Sequence, residues 1–323
     1  MVEVKDLVNN YGNIAAVKGV SFTAEKGEIL GFLGPNGAGK STTMNIITGY
    51  LSSTEGSVTI DGYDILENPM EARARIGYLP EQPPLYLDMT VEKYLEFIYG
   101  LKKVKLPKKE HLDEIMSLVK IDDIKGRVIR NLSKGYKQRV GFAQALVGNP
   151  SVLILDEPTV GLDPRQIIEM RSLIRSLGKK HTVIFSSHVL SEVATICDRI
   201  VVISNGKITA DEKTDNISTV TADIKKLSVT VEGSASTVLS VLGAVDGVTK
   251  VRRNIQEDDN IYKYIVDYKK DRDIRRGVFR ALAKADCPIL NMQDAGMSLE
   301  EAYLQLTNAT KVENAKKKKG GKD

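Results

Sequence analysis

The sequence predicts an α/β fold in which a parallel-sheet core carries an antiparallel β subdomain and a helical insertion, followed by a small α+β domain of ferredoxin-like pattern. Three observations carry this expectation. The apolar run from Ile29 to Leu33 ends in a glycine-rich loop and a helix-like segment. Residues 151–158, Ser-Val-Leu-Ile-Leu-Asp-Glu-Pro, hold a second continuous apolar run, which reads as a parallel strand buried on both faces. From Leu227 onward the pattern is strand, helix, strand, strand, helix, strand, the order of a split β-α-β unit.

At 323 residues the chain has room for two domains. Hydrophobic residues make up 42% and charged residues 27%, the balance of an ordinary soluble protein rather than a disordered or membrane-embedded one. No apolar run approaches the roughly 18 residues of a membrane span. Met1 to Asn10 lacks the basic start and apolar core of an export signal, so a cytosolic location is expected. The net charge of +4, from 46 basic and 42 acidic residues, gives no case for nucleic acid as a ligand. Cys197 and Cys287 lie far apart and outside any Cys-x-x-Cys pattern, so buried, reduced thiols are expected rather than a disulfide or a zinc site.

In chain order, residues 2–8 and 20–31 alternate well enough to be strands of an antiparallel sheet, with Tyr11 and Gly12 on the connection. Two uses fit Tyr11: a stacking platform for a purine, or a loop aromatic packed on its neighbours. Gly34-Pro35-Asn36-Gly37-Ala38-Gly39-Lys40-Ser41-Thr42 then reads G-x-x-x-x-G-K-S between a strand and a helix, the phosphate-binding P-loop. Glycines 34, 37 and 39 are expected to take positive φ and turn backbone N–H groups onto one phosphate chain at a helix N-terminus. Lys40 should reach the β- and γ-phosphates and Ser41 should ligate Mg²⁺. Ser41 to Gly49 reads as the first helix, residues 56–62 as an edge strand and turn, and Ile76 to Pro80 as a strand ended by proline. The loop Glu81, Gln82, Pro83, Pro84 follows.

From Val91 to Leu118 the apolar period is that of helices, which opens a helical insertion over about residues 86–146. Its lysines at 102, 103, 105, 108 and 109 form a solvated surface or a membrane-proximal patch. Asn131 to Val140 is a small-residue turn entering a helix. Ser133 and Gly135 at its entrance make either an anion site or an ordinary serine N-cap. The polar end of the 151–158 strand lies at the carboxyl edge of the sheet and brings Asp156 and Glu157 beside the P-loop. Side chains alternate on a strand, so Asp156 can hold the Mg²⁺ shell while Glu157 polarises the attacking water. Thr182 to His188 repeats the theme and delivers His188 to the γ-phosphate or, alternatively, to a capping or core role. His111 and His181 read as surface residues.

In this order and spacing these stretches resemble the ATP-binding subunit of an ABC transporter over about residues 1–210. The resemblance rests on the P-loop, the L-S-K-G-Y version of the signature motif at Leu132 to Tyr136, Asp156-Glu157, the G-L-D-P turn at Gly161 to Pro164, and His188. The most similar subgroup is the ABC-2-type exporters, including drug-resistance and gliding-motility-like subunits, where Lys replaces the first signature glycine. The resemblance implies an ATPase with ATP and Mg²⁺ as cofactors. It implies that Tyr11 stacks on adenine, that Asp163 lies at a subunit contact, and that Ser133 and Gly135 touch the ATP bound by a second copy.

The implied partners are a transmembrane permease subunit and a second ATP-binding subunit, identical or a close paralogue, without nucleic acid. The implied location is cytoplasmic, peripheral on the inner face of the cell membrane through the permease. Two departures stand out. Lys134 and Tyr136 occupy the positions of Gly and Gln in the common motif, and the loop glutamine is displaced, so that the family's metal-ligand position falls on Glu81 with Gln82 one residue late. A soluble ATPase scaffold of the same class with a non-transport role is the alternative. A chromosome-maintenance ATPase would need a long inserted coiled coil and a translation-factor ATPase two P-loops, neither of which is present.

The remaining third reads as a linker over 211–225 and an accessory domain over 226–309. Its strands fall at 227–231, 248–253, 262–268 and 288–292, with helices at 236–242 and 274–282. A capping box, Ser298 to Glu301, with Tyr303 and Leu306 on its apolar face, closes it. The last 13 residues hold six lysines and two acids, so 310–323 is expected to be a disordered basic tail, open to anionic lipid. Regulation and dimer contact both fit the accessory domain.

Overall fold

The computed structural model describes residues 1–214, 224–258, 260–269 and 271–294. The capping box at Ser298, the basic tail and most of the expected linker lie outside the described residues. The chain divides into two compact units that part between Thr214 and Asp215.

The first unit contains two sheets. Strands β1 (Val2–Tyr11), β2 (Ile14–Ala24), β4 (Glu55–Ile60) and β5 (Tyr63–Asp64) form an antiparallel sheet in the order β2-β1-β4-β5. Strands β3 (Ile29–Leu33), β6 (Ile76–Leu79), β7 (Val152–Asp156), β8 (Thr182–Ser187), β9 (Arg199–Ser204) and β10 (Lys207–Lys213) form the second, in the order β10-β9-β3-β8-β7-β6. It is parallel from β9 to β6, with β10 antiparallel at its edge.

The expected strand over 20–31 is in fact two strands in different sheets. The chain turns at Glu25 to Gly27, where Gly27 has φ 77° and Glu28 N–H donates to Glu25 O, so that the alternating half ends and the fully buried β3 begins. β1 likewise runs three residues past its expected end, and Tyr11 is its last residue, paired with Ile14 across a tight turn, rather than a loop residue. β4 lies between β1 and β5 and is not an edge strand. β10 reaches Lys213, which takes residues 211–213 out of the expected linker.

Among the described residues, seven α-helices flank these sheets: α1 (Lys40–Ile47), α2 (Pro69–Ala74), α3 (Val91–Leu101), α4 (Lys108–Leu118), α5 (Lys134–Leu146), α6 (Pro164–Gly178) and α7 (Leu190–Ile196). α1 packs on β2 and β7, α5 on β6, and both α6 and α7 on β8. One core joins Val4, Leu7, Val20 and Phe22 of the antiparallel sheet to Leu30, Phe32, Ile154 and Ile184 of the parallel one. The rings of Phe22 and Phe32 meet at 5.2 Å across the two sheets. Burying a side chain of this size is worth about 1.5–3 kcal/mol, which is why the two sheets hold a fixed relation around the P-loop.

In the insertion, Thr90 caps α3 by accepting from Lys93 N–H, and the buried stripe Val91, Tyr94, Leu95, Ile98 is the one the helical period marks. Of its lysines, Lys102 differs from a free solvated side chain: its Nζ donates to Val147 O at 2.9 Å at the C-terminal end of α5. That end carries the negative pole of the helix.

The second unit contains β11 (Ile224–Glu232), α8 (Ala235–Gly243), β12 (Val248–Asp258), β13 (Ile261–Lys269), α9 (Arg275–Lys284) and β14 (Ile289–Asp294). Its sheet is antiparallel in the order β12-β13-β11-β14, the split β-α-β arrangement. Leu227, Val229, Val231, Tyr264 and Val266 face Val238 and Leu242 of α8 and Val278 and Leu282 of α9 in a separate core.

Candidate active site

The glycine-rich loop runs from the buried end of β3 into α1. Two of its glycines have left-handed backbones, Gly37 at φ 76° and Gly39 at φ 108°. Gly34 does not. Its requirement is space, because a Cβ there would stand 2.4 Å from Ile203 O. Pro35, Asn36 and Gly37 form the exposed tip, while Ala38 is buried and accepts from Gly206 N–H at 2.9 Å. Thr42 follows in α1, next to Ser41.

Lys40 is 6% exposed, and its Nζ donates to Gly34 O at 2.8 Å and Pro35 O at 3.4 Å, so the loop is closed over its own cation. The same Nζ stands 3.5 Å from Glu157 Oε1. Glu157 is buried, with φ 48°, a left-handed conformation that a non-glycine residue adopts only where its surroundings hold it. Its N–H donates to Ser186 O at 3.0 Å, and its Oε2 meets His188 Nδ1 at 2.9 Å. Lys40, Glu157 and His188 thus form one chain of contacts across the carboxyl ends of β3, β7 and β8.

Asp156 points to a different corner. Burial pushes its carboxyl up from the usual range, the neighbouring Ser186 and Ser41 hydroxyls and the Lys40 ammonium draw it back, and the Glu81 carboxylate adds to the rise. The hydroxyls are near the carboxylate without bonding Oδ1: Asp156 Oδ1 and Ser186 Oγ are both buried with no hydrogen bond of good geometry among the described residues. A buried, unpaired carboxylate oxygen is costly unless a cation meets it. Asp156 and Ser41 therefore fit a hard divalent ion of the Mg²⁺ kind. No group of three or more Asp, Glu, His or Cys that could hold a metal occurs among the described residues. Glu81 and Gln82 are both exposed on the loop after β6, and the Glu81 carboxylate is near enough for its charge to act on Asp156.

The remaining expected residues stand apart from this cluster. Ser133 caps α5, accepting from Tyr136 N–H at 3.4 Å, and is exposed; Gly135 is buried against the Gln166 side chain, which a Cβ would meet at 2.6 Å. Asp163 caps α6 by accepting from Gln166 N–H at 2.9 Å. Lys134 lies over Gly161, its Nζ 2.0 Å from where a Cβ of that residue would be. Tyr11 stands at its hairpin turn with its ring half-exposed, beside the exposed Ile14. No hydrogen bond or ion pair among the described residues joins these groups to Lys40.

His181 is not a surface residue. It is 6% exposed, and its Nδ1 meets Pro150 O at 2.6 Å. His111 is half-buried and accepts from Gly148 N–H through Nε2. Cys197 and Cys287 are free and buried. Sequence reasoning passed over Ser186, Thr159, Ser187 and Glu192. The hydroxyl pair immediately before His188 was the available signal, since a strand otherwise filled with apolar residues has no packing reason to end in two serines.

A family model described as ABC transporter matches residues 17–160. An uncharacterized ABC transporter ATP-binding protein of Bacillus subtilis, YhcH, is 33% identical over 320 residues, 97% of this chain and 98% of that protein. The linearmycin resistance ATP-binding protein LnrL of Bacillus subtilis is 31% identical over 96% of this chain and 99% of its own. The dimeric post-hydrolysis structure of the cassette MJ0796 bound to ADP and Pi superposes with a TM-score of 0.61 at 27% identity, covering 66% of this chain and 99% of that one. With two relatives matched end to end and the cassette fold shared, this chain belongs to the ATP-binding subunits of ABC transporters, a family of ATPases.

Proposed function

We propose that this chain is the ATP-hydrolysing motor of an exporter, driving a separate membrane permease, with Lys40, Glu157 and His188 at the reacting phosphate. The observation that carries the reading is their continuous contact at the carboxyl ends of three neighbouring strands, beside a buried carboxylate oxygen that has no hydrogen-bond partner among the described residues. The kinship with a linearmycin resistance protein supports export.

In this reading the phosphate chain replaces the Gly34 and Pro35 carbonyls as the partner of Lys40, and the N–H groups of residues 34–42 close round it. Lys40 then leaves Glu157 Oε1, which becomes free to accept from the attacking water, while His188 holds Oε2 and fixes the carboxylate plane. Water adds to the γ-phosphorus as the bond to the ADP oxygen breaks. Asp156 and Ser41 would hold Mg²⁺, with Glu81 as the loop ligand, and the ion would neutralise charge on the phosphate oxygens. Tyr11 receives the adenine.

Glu81 is preferred to Gln82 for its place directly after the strand-ending Pro80, and its carboxylate is near enough for its charge to act on Asp156. The Mg²⁺ concentration for half-maximal ATPase rate is expected to rise about tenfold in Glu81→Ala and to stay near wild type in Gln82→Ala. A raised requirement in Gln82→Ala alone would move the ligand by one residue.

Among the described residues no helix is long and apolar enough to cross a membrane, so transport needs the permease. The docking surface proposed for it is Tyr86, Leu87 and Phe97, which are 53%, 49% and 39% exposed, with the Tyr86 and Phe97 rings 5.2 Å apart. Tyr86 and Leu87 follow directly on the loop that carries Glu81, and Phe97 of α3 packs on Tyr86, so nucleotide state and permease contact meet in one patch. The experiment is sedimentation of cell membranes containing the intact transporter. Phe97→Glu is expected to release the chain from the membrane fraction and to leave ATP binding intact. Retention of the variant at wild-type levels would refute the docking surface, and recovery of the wild-type chain without any membrane protein would favour the soluble scaffold.

A further inference from the structure

Glu192, on α7, is 6% exposed and belongs to no motif considered above. Its Oε2 accepts from Thr159 Oγ1 at 2.7 Å and from Ser187 Oγ at 3.4 Å, and its Oε1 stands 3.6 Å from Arg171 Nη2 on α6. Both hydroxyl donors are themselves buried, at 4% and 0% exposure.

The places of those donors give the carboxylate its meaning. Thr159 follows Glu157 by two residues, and its carbonyl accepts from Leu162 N–H in the turn that leads to Asp163. Ser187 directly precedes His188, and its Oγ also accepts from Val189 N–H at 3.1 Å, immediately beyond the histidine. One carboxylate therefore holds the loop that presents Glu157 and the loop that presents His188, and through Arg171 it holds the helix that Asp163 caps.

A buried carboxylate is an expensive choice for plain packing, since a well-packed apolar residue at such a site is often as stable or more so. What a carboxylate adds is direction, because each hydroxyl has a single strong acceptor to aim at. Glu157 needs such support: its backbone is left-handed, and the 2.9 Å contact to His188 survives only while the two loops keep their separation.

We infer that Glu192 is a positioning residue for ATP hydrolysis, which sets the distance between Glu157 and His188 by clamping Thr159 and Ser187. The inference rests on the assignment of Glu157 and His188 to the reacting phosphate. It assigns Glu192 no contact with nucleotide, so its loss should slow turnover and spare binding.

The test is steady-state ATPase kinetics on the full chain. Glu192→Ala is expected to lower kcat by about 10- to 100-fold, the effect of misplacing a reacting group by about 1 Å, with KM for ATP within about twofold of wild type. Glu192→Gln keeps an acceptor oxygen for Thr159 and should recover to within about threefold of wild type. Thr159→Val, which preserves shape, should lower kcat by about tenfold, and adding it to Glu192→Ala should cause little further loss, because the pair acts as a unit.

If Glu192→Ala does not fold, Thr159→Val and Ser187→Ala carry the test alone. Wild-type kcat in Glu192→Ala or in both hydroxyl variants, a loss confined to KM, or full additivity in the double variant would each overturn the proposal. Glu157→Gln, measured alongside, separates the two assignments. Wild-type turnover in that variant would remove the assignment of Glu157. An inactive Glu157→Gln beside normal Glu192 and Thr159 variants would remove only the clamp.

Discussion

Glu157→Gln is expected to bind ATP about as tightly as the native chain and to turn it over about 10²- to 10⁴-fold more slowly, the range for loss of a positioned acid–base group. The substitution keeps the side-chain volume, and an amide still reaches His188 Nδ1 where Oε2 stood at 2.9 Å. Lys40 keeps its partners on the Gly34 and Pro35 carbonyls, so the phosphate cradle is untouched. On the role proposed for Glu157, what the amide loses is the ability to accept from the attacking water. Phosphate release under saturating ATP measures the rate, and a fluorescent ATP analogue measures the affinity. Turnover near the native rate would remove Glu157 from its role, and a parallel loss of affinity would show that its charge serves the cradle instead.

The cluster at Lys40, Asp156, Glu157 and His188 was legible in the sequence for a simple reason. Asp156, Glu157 and His188 lie at or just past the end of an apolar run that reads as a buried strand, where a polar group has few places to go except the ligand edge of the sheet, and Lys40 is marked by the spacing of the glycine-rich loop that follows Leu33. Gly34 shows the limit of that reading. A glycine in a phosphate loop suggests positive φ, whereas this one is needed because Ile203 O lies where a Cβ would be, and Ile203 comes from a strand far along the chain. The division of 20–31 into β2 and β3 was hidden for a related reason: an alternating half and a buried half adjoin, with the turn marked by a single Gly27.

Of the Glu192 clamp only the serine pair before His188 left a mark in the sequence, and it does not name its partner. Thr159, Ser187 and Glu192 come from three segments, and Thr159 and Glu192 each have an adequate local explanation, as a turn hydroxyl and a helix carboxylate. Only the packing of α7 on β8 brings them within hydrogen-bond reach. His181 makes the same point from the other side. A histidine after two lysines looks solvated, yet α6 and the start of β8 enclose it and Pro150 O satisfies its ring. In the second unit the order of elements was readable along the chain. The placement of β11 between β13 and β14 depends on pairing between distant strands, which no local pattern encodes.

Pairing one Lys40→Ala chain with one Ser133→Arg chain is expected to give a heterodimer with about half the native ATPase rate, although either homodimer is nearly inactive. The reason is the separation of the two lesions within one chain. Lys40 sits in the cradle between β3 and α1, while Ser133 is exposed at the cap of α5, beside Gly135 and Gln166, with no hydrogen bond to the Lys40 cluster among the described residues. If the exposed α5 end completes the site of the opposite copy, the heterodimer has one composite site with both lesions and one with neither. Tandem affinity tags isolate that species. A second heterodimer, with both substitutions on one chain and none on the other, spoils each composite site once and should be silent. The reversed pattern, activity only when both lesions share a chain, would mean that Ser133 serves its own chain's nucleotide. Silence of both would mean that two intact sites must fire together, so the order of activity between the two heterodimers reads directly how the signature helix is shared.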